Sequence, residues 1–464
     1  MHRKVTFREE ESKFYTEDKC SKEDRKNMDV SRQASLYVNN MMDHLGYSYE
    51  MIKHRQLMWD DYDKLHNRHD VSLPHRRVTT GGKGEGTTMY FESDTDFMFI
   101  VKDVISAERP QRLGNVKNVT RFQLERIETP PGYTRLKLLE LGGKHYKRRI
   151  RASVVKARTG SKYLSSSIFT DAIEVSQRRH RLRHGCTNDA TSGPSTPSSH
   201  RYQKFDTVVC FSSVCPDIVE RWISRSRNHG WPAPATIKKI SLLDGHVAPV
   251  GFKGSQNMYV EWRICYSFAE LSLMRCLNAT QLKIYVLLKQ ISKSVLKTVC
   301  KDITSYVLKN VIFWTCEGKC SDVFVPELLI DRLIDCIRYL RERVAENYLP
   351  SYMIPERNLL AGRLDLQNRK QLARVFTDLL HEGWSMLLRC DKLREAMVMR
   401  CRTPVMFREI GDQRRRADKL WMIICRIGAE MWRPGVFIND IIPKLLHTEL
   451  YRRFGDGNRF FVEI

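Results

Sequence analysis

From Thr79 to Val101 the chain reads TTGGKGEGTTMYFESDTDFMFIV: a glycine-rich turn, then two aspartates one residue apart, then an apolar run. Successive side chains of a strand point to opposite faces, so Asp94 and Asp96 are expected on one side while Phe97 to Val101 bury the rest of the strand. Two carboxylates a few ångströms apart repel each other unless a cation bridges them, and hard divalent ions take oxygen ligands of this kind. The pattern predicts a pair of Mg²⁺ (or Mn²⁺) ions. Upstream, Gly81, Gly82, Gly84 and Gly86 allow a tight turn whose N–H groups face phosphates. Together the two features describe a nucleoside triphosphate with its metals. The competing reading is a solvated cap beside an ordinary loop. The glycines fit neither GxGxxG nor GxxxxGK[ST].

At 464 residues the chain is long enough for two or three structural units, and 42% hydrophobic residues make it globular. Its 78 Lys plus Arg against 54 Asp plus Glu leave a net charge of +24, which favours polyanionic partners. The first thirty residues lack a signal-peptide core and no long apolar run occurs, so a cytoplasmic chain with no membrane contact is expected. The 13 cysteines are scattered without a framework and read as reduced thiols. Cys210 with Cys215 and Cys316 with Cys320 lack a second ligand pair, so no zinc is expected.

Residues 1–30 are charged enough to be a mobile arm. Between Ser31 and His66, Leu36, Val38, Met41, Met42, Leu45, Tyr49, Ile52, Leu57 and Tyr62 recur at three- and four-residue steps, which predicts one long amphipathic helix. After Pro74 come strand-like runs, MFIVKDVI and FDTVVCF. Between them lie the basic stretches GGKHYKRRIRASVVKAR and QRRHRLRHG, and a Ser/Thr/Pro/Gly-rich loop near 186–200 that composition marks as disordered. Beyond Glu270 the periodicity is helical, and Leu329, Leu333, Ile337, Leu340 and Val344 share one face of a helix between Pro326 and Pro350. The division expected is 31–260 and an all-helical 261–464.

The spacing of Gly-Gly, a dozen residues, and acid-x-acid in a buried strand resembles the signature of the polymerase beta type nucleotidyltransferase fold. That fold needs a third carboxylate on a neighbouring strand, and Asp206 in KFDTVVCF is the candidate; taken alone it is equally a strand-edge solvent contact. FDTVVCFSSVCPDIVERWISRSRNHGWP, VEWRICYSFAELSLMRCLN, SYVLKNVIFWTCE and YMIPERNLL, in this order, are similar to consecutive blocks of the Mab-twenty-one family, which includes cyclic GMP-AMP synthase and related animal receptors. The resemblance covers roughly Leu36 to Leu450. It implies an α+β, bilobed nucleotidyltransferase fold with a long spine helix and an all-helical C-terminal lobe.

By this resemblance the catalytic and metal-binding acids fall on Asp94, Asp96 and Asp206, and the phosphate turn on Gly81 and Gly82. Arg263 and Ser267 would contact a base or phosphate, and Tyr306 would stack on a base. A structural ion pair at Arg263 and a core aromatic at Tyr306 are the plainer alternatives. Two departures stand out. Position 82 is glycine where the family has serine, although Thr80, Thr87 or Thr88 could replace the hydroxyl. The vertebrate zinc insertion is reduced to LSLMRCLNAT. The implied activity is synthesis of a cyclic dinucleotide from ATP and GTP in innate immune signalling, although Cys265, where relatives often carry serine, leaves the base choice open. Without the zinc element, double-stranded RNA is the expected activator, held by Lys147, Arg148, Arg149 and Arg151, with a ligand-induced dimer as a possible active form. A catalytically silent binding or developmental scaffold, and an enzyme extending RNA ends, are the alternatives.

Overall fold

The computed structural model describes residues 22–68, 73–114, 117–183, 187–188, 194–200 and 203–431. Most of the N-terminal arm, the middle of the low-complexity loop and the last residues of the helical half lie outside them.

The N-terminal half contains helices α1 (Lys22–Met42), α2 (Tyr49–Arg68), the single turn α3 (Gly81–Gly84), α4 (Lys147–Ser153), α5 (Ser166–Arg183), α6 (Pro216–Ser224) and α7 (Pro234–Ser241). Its strands are β1 (His75–Thr80), β2 (Thr95–Ala107), β3 (Thr120–Glu125), β4 (Tyr133–Glu140), β5 (Val154–Lys156) and β6 (Lys162–Leu164). They continue as β7 (Thr187–Asn188), β8 (Thr196–His200), β9 (Gln203–Val214), β10 (Gly245–Ala248) and β11 (Glu261–Cys265). From there the described residues are helical: α8 (Ser267–Arg275), α9 (Ala279–Ile291), α10 (Lys297–Val299), α11 (Ser305–Glu317), α12 (Leu329–Ala345), α13 (Leu366–Glu382), α14 (Asp391–Arg402) and α15 (Pro404–Met431). The architecture is mixed α+β with helices in the C-terminal half. No helix among the described residues is long and apolar enough to cross a membrane.

The long N-terminal helix differs from the expectation in two ways. It begins at Lys22, inside the charged arm, and it breaks at Gly46, which takes φ 95° within a π-helical turn over Asp43–Tyr47. The apolar steps run through the break because both segments bury the same side: Met41, Met42, Leu45 and Ile52 are buried. Tyr49 and Leu57 are the exceptions, at 38% and 64% exposed.

β2 is the hub of the sheet. It pairs antiparallel with β1 and parallel with both β3 and β9, and the β2–β9 pairing closes a circuit through β3, β4, β11 and β10. One face packs on Phe122, Phe211, Phe169 and Trp262, whose indole N–H donates to the Leu164 carbonyl at 2.9 Å. The opposite face carries Met98, Ile100 and Cys210 against Leu271 of α8. Part of the stretch marked as disordered is strand: Thr196–His200 pairs with β9 from Thr196↔Thr207 to His200↔Gln203. The other edge of β9 is taken by β2, and a polar strand satisfies the remaining backbone groups, which composition does not register.

Helix α12 buries Leu333, Ile337, Leu340 and Val344 on one face, following its spacing. Helix α15 returns from the helical half to pack along α2.

Candidate functional site

Asp96 and Asp206 are direct register partners on the parallel strands β2 and β9. Both therefore project from the same face of the sheet. Asp94 does not share the strand as its spacing suggested. β2 starts at Thr95, and Asp94 stands exposed just before it, beyond the first pairs Thr80↔Asp96 and Thr95↔Phe205. β1 has already turned away at Gly81, and β9 pairs with β2 only from Thr95 onward.

Burial drives the Asp96 carboxyl up to about 7, and the negative charges of Asp94, Asp206 and Glu85 push the same way against Lys309. Among the described residues no cluster of three or more His, Cys, Asp or Glu side chains forms a ready cation cage. The donor set nevertheless suits a hard divalent ion: the groups are carboxylate oxygens, burial first and mutual repulsion second raise Asp96, and a cation would relieve that repulsion.

The turn before the acids is built against them. Gly81 takes φ +60°, and a Cβ there would sit 1.9 Å from Oδ2 of Asp96. Only glycine lets the backbone come this close to the carboxylate. The turn is closed by Glu85 N–H to the Gly81 carbonyl and Thr87 N–H to the Gly82 carbonyl, each 3.0 Å. At position 82 a Cβ would meet the Thr88 side chain, Cγ2 and Oγ1 both at 2.8 Å, and Lys289 Nζ at 3.2 Å. Of the three threonines weighed as substitutes for a serine hydroxyl, Thr88 is the one whose hydroxyl lies against position 82.

Helix α15 pins the same segment. The Tyr90 N–H donates to Asp418 at 2.9 Å, Asp418 pairs with Arg55 at 2.5 Å with both side chains 1% exposed, and Tyr90 stacks on Trp421 at 3.5 Å. Although burial raises the Glu92 carboxyl, Arg414, the Tyr47 hydroxyl and the Met89 N–H together hold it down at about 2. It is a permanent anion bonded to Tyr47 at 2.6 Å and Arg414 at 3.0 Å.

Register also relates Arg263 to the acids. Asp206 and Ser212 share a face of β9, Ser212 pairs with His246, His246 with Cys265, and Cys265 shares a face of β11 with Arg263. Arg263 is half-buried and its Nε donates to Cys265 Sγ at 3.3 Å. Among the described residues it has no ion-pair partner, which removes the structural ion pair weighed for it. Ser267 heads α8. The Tyr306 hydroxyl donates to Glu270 at 3.0 Å, with Arg357 and Lys309 at 5.8 and 5.9 Å from its ring.

Sequence reasoning missed a chain of charges linking these parts. Lys309 Nζ lies 2.5 Å from Glu85 of the turn and 3.7 Å from Glu270, which holds Tyr306. Lys289 is half-buried, desolvation lowers its ammonium pKa, and it reaches Thr87 Oγ1 at 3.4 Å. Lys309 sits in the SYVLK block and was legible there; nothing local marks Lys289.

The basic stretch Lys147–Arg151 forms α4, where Arg148 and Arg151 are exposed. Lys147 reaches the Gly142 carbonyl at 3.5 Å, while Arg149 donates to Ser176 on α5 and lies over Tyr146. That contact brings α4 alongside α5, which carries the second basic stretch. Asp103 accepts from the His145 N–H, so α4 starts at the opposite end of β2 from Asp96, about 23 Å along the strand.

A mixed α+β sheet with paired strand aspartates, followed by a helical half, is compatible with a nucleotidyltransferase-like fold. Residues 279–379, from the start of α9 into α13, match the family model described as the Mab-21 protein HhH/H2TH-like domain. The chain carries a Mab-21 C-terminal domain, and its similarity to the Mab-21 family, read from its sequence blocks, is shown by this match.

Proposed function

We propose that this chain is a metal-dependent nucleotidyltransferase that builds a cyclic dinucleotide second messenger from ATP and GTP in innate immune signalling. The observation that carries the reading is the Asp96–Asp206 pair on adjacent parallel strands with the Gly81 backbone packed against Asp96. Asp94, Asp96 and Asp206 would hold Mg²⁺ or Mn²⁺, which when bound neutralises developing phosphate charge and acidifies a ribose hydroxyl. The chain's own residues do the rest. The Gly81–Gly82 backbone and the Thr88 hydroxyl bind the triphosphate tail. Asp206 orients the attacking hydroxyl. Arg263, Ser267 and Tyr306 fix base and phosphate, and the α15 clamp on Tyr90 and Glu92 keeps the turn in register with the acids.

Activation by double-stranded RNA in the cytoplasm, with a ligand-induced dimer as one active form, completes the proposal; Arg148 and Arg151 supply the exposed charge. A catalytically silent scaffold is the second reading, favoured by the exposed Asp94 and by the absence of a formed three-acid cage among the described residues. Purified protein incubated with labelled NTPs, Mg²⁺ or Mn²⁺ and double-stranded RNA or DNA separates the readings. Cyclic product supports the synthase, no product under any condition supports the scaffold, and lengthened RNA overturns both.

A further inference from the structure

A cavity of about 400 Å³ lies on the same sheet face as the acids but beyond them. Ile100 and Lys102 of β2 line it, four and six residues past Asp96, so its far wall is about 20 Å along the strand from that carboxylate. Met98, Cys210, Val78 and Leu271 form an apolar plug between the two regions, with Phe268 packed against it. The cavity is thus not an extension of the acidic site. Its volume falls in the range of small-molecule sites.

Its lining is selective. The His246 ring is 2% exposed, stands edge-on to Phe268 at 4.9 Å, and its Nδ1 has no hydrogen-bond partner. Burial and the nearby Arg76 hold this imidazole near pKa 4, so at neutral pH it offers one donor and one acceptor and carries no charge. This neutral ring leaves that wall of the cavity without charge, and Phe268 supplies an aromatic wall for a planar heterocycle. At the mouth are two exposed cations, Arg76 and Lys102, against one carboxylate, Asp244; the Arg76 guanidinium lies 5.5 Å from the Phe268 ring centroid. A guanidinium and an ammonium at one rim suit a phosphate.

We propose that this cavity is a second ligand site, separate from the acidic site, that takes a planar heterocycle bearing a phosphate, of the size of a nucleoside monophosphate. The base lies against Phe268 and His246, and the phosphate is held at the rim by Arg76 and Lys102. The proposal stands independently of the catalytic reading, since none of these residues belongs to the acidic site.

The test is calorimetric titration of the full chain with adenosine 5′-monophosphate, adenosine and inorganic phosphate as probes. Saturable binding of the monophosphate is expected, with adenosine and phosphate each weaker. Arg76→Glu and Lys102→Glu, both at exposed positions, should each weaken it by about tenfold or more. Leu242→Trp, at a rim residue 80% exposed, should block it by covering the mouth. Asp96→Asn should leave it unchanged. No saturable binding overturns the proposal. So does binding lost in Asp96→Asn but kept in Arg76→Glu, which would assign the probe to the acidic site.

Discussion

The Gly81 Cα and the Asp96 carboxylate are packed so closely that a single methyl group at position 81 would fall 1.9 Å from Oδ2. The turn and the acid are therefore one unit. Gly81→Ala meets both this overlap and the left-handed φ of +60°, itself a cost of about 1–2 kcal/mol. Displacing the turn by even 1 Å should lower nucleotide-product formation by about 100-fold. Steady-state product assays beside a thermal melt check it, and normal turnover in a folded variant would show that the turn does not position the reacting groups.

Asp96 makes stability depend on pH. Its folded-state pKa of about 7 lies above the ordinary carboxyl value, so between about pH 4 and 7 the folded protein holds a proton that the unfolded chain has lost. Its contribution to stability is thus complete at acid pH and is lost as pH rises through 7. Asp96→Asn, which never ionises, should gain stability relative to the parent on going from pH 5 to pH 8. Mg²⁺ should raise the Tm of the parent at pH 8 but not that of the variant. A Tm difference independent of pH would refute the buried-acid reading.

Thr88 occupies the space that a serine side chain at 82 would need. Thr88→Ala should raise the nucleotide KM by roughly tenfold or more, since a hydrogen bond to a charged group contributes about 1.5–3 kcal/mol. Gly82→Ser alone should not lower KM, because its Cβ meets Thr88 at 2.8 Å. In the Thr88→Ala background the same change should recover part of the loss. A KM untouched by Thr88→Ala would remove the threonine from the phosphate site.

The charges of α4 divide by partner. Arg148 and Arg151 are exposed, whereas Arg149 is bonded to Ser176. Arg148→Glu with Arg151→Glu should weaken double-stranded RNA binding and RNA-stimulated turnover while leaving the Tm and unstimulated turnover unchanged; Arg149→Glu should also lower the Tm. Log affinity should fall with log salt by about 0.9 per phosphate neutralised. Equal turnover with RNA, DNA or neither would rule out nucleic-acid activation.

The sequence alone determined the elements with strong local signals. The apolar run after Asp96 and the Val-rich run after Asp206 specify two strands, and the spacing of Leu333, Ile337, Leu340 and Val344 specifies the buried face of α12, because period-two and period-3.6 burial are written along a single segment. The glycines before the acids were equally legible, and at Gly81 and Gly86 the left-handed φ of +60° and +72° favours glycine. Tertiary structure decided the rest. That Asp206 stands opposite Asp96 follows from a parallel pairing across more than a hundred residues, which no local pattern encodes. That Asp94 falls outside the strand depends on where β1 turns away. Lys289, Asp418 and His246 carry no local mark, and nothing local chose Thr88 over Thr80 and Thr87; their surroundings come from elements brought together only by packing. Spacing reports which face a side chain takes, whereas what it meets on that face is set by chain distant in sequence.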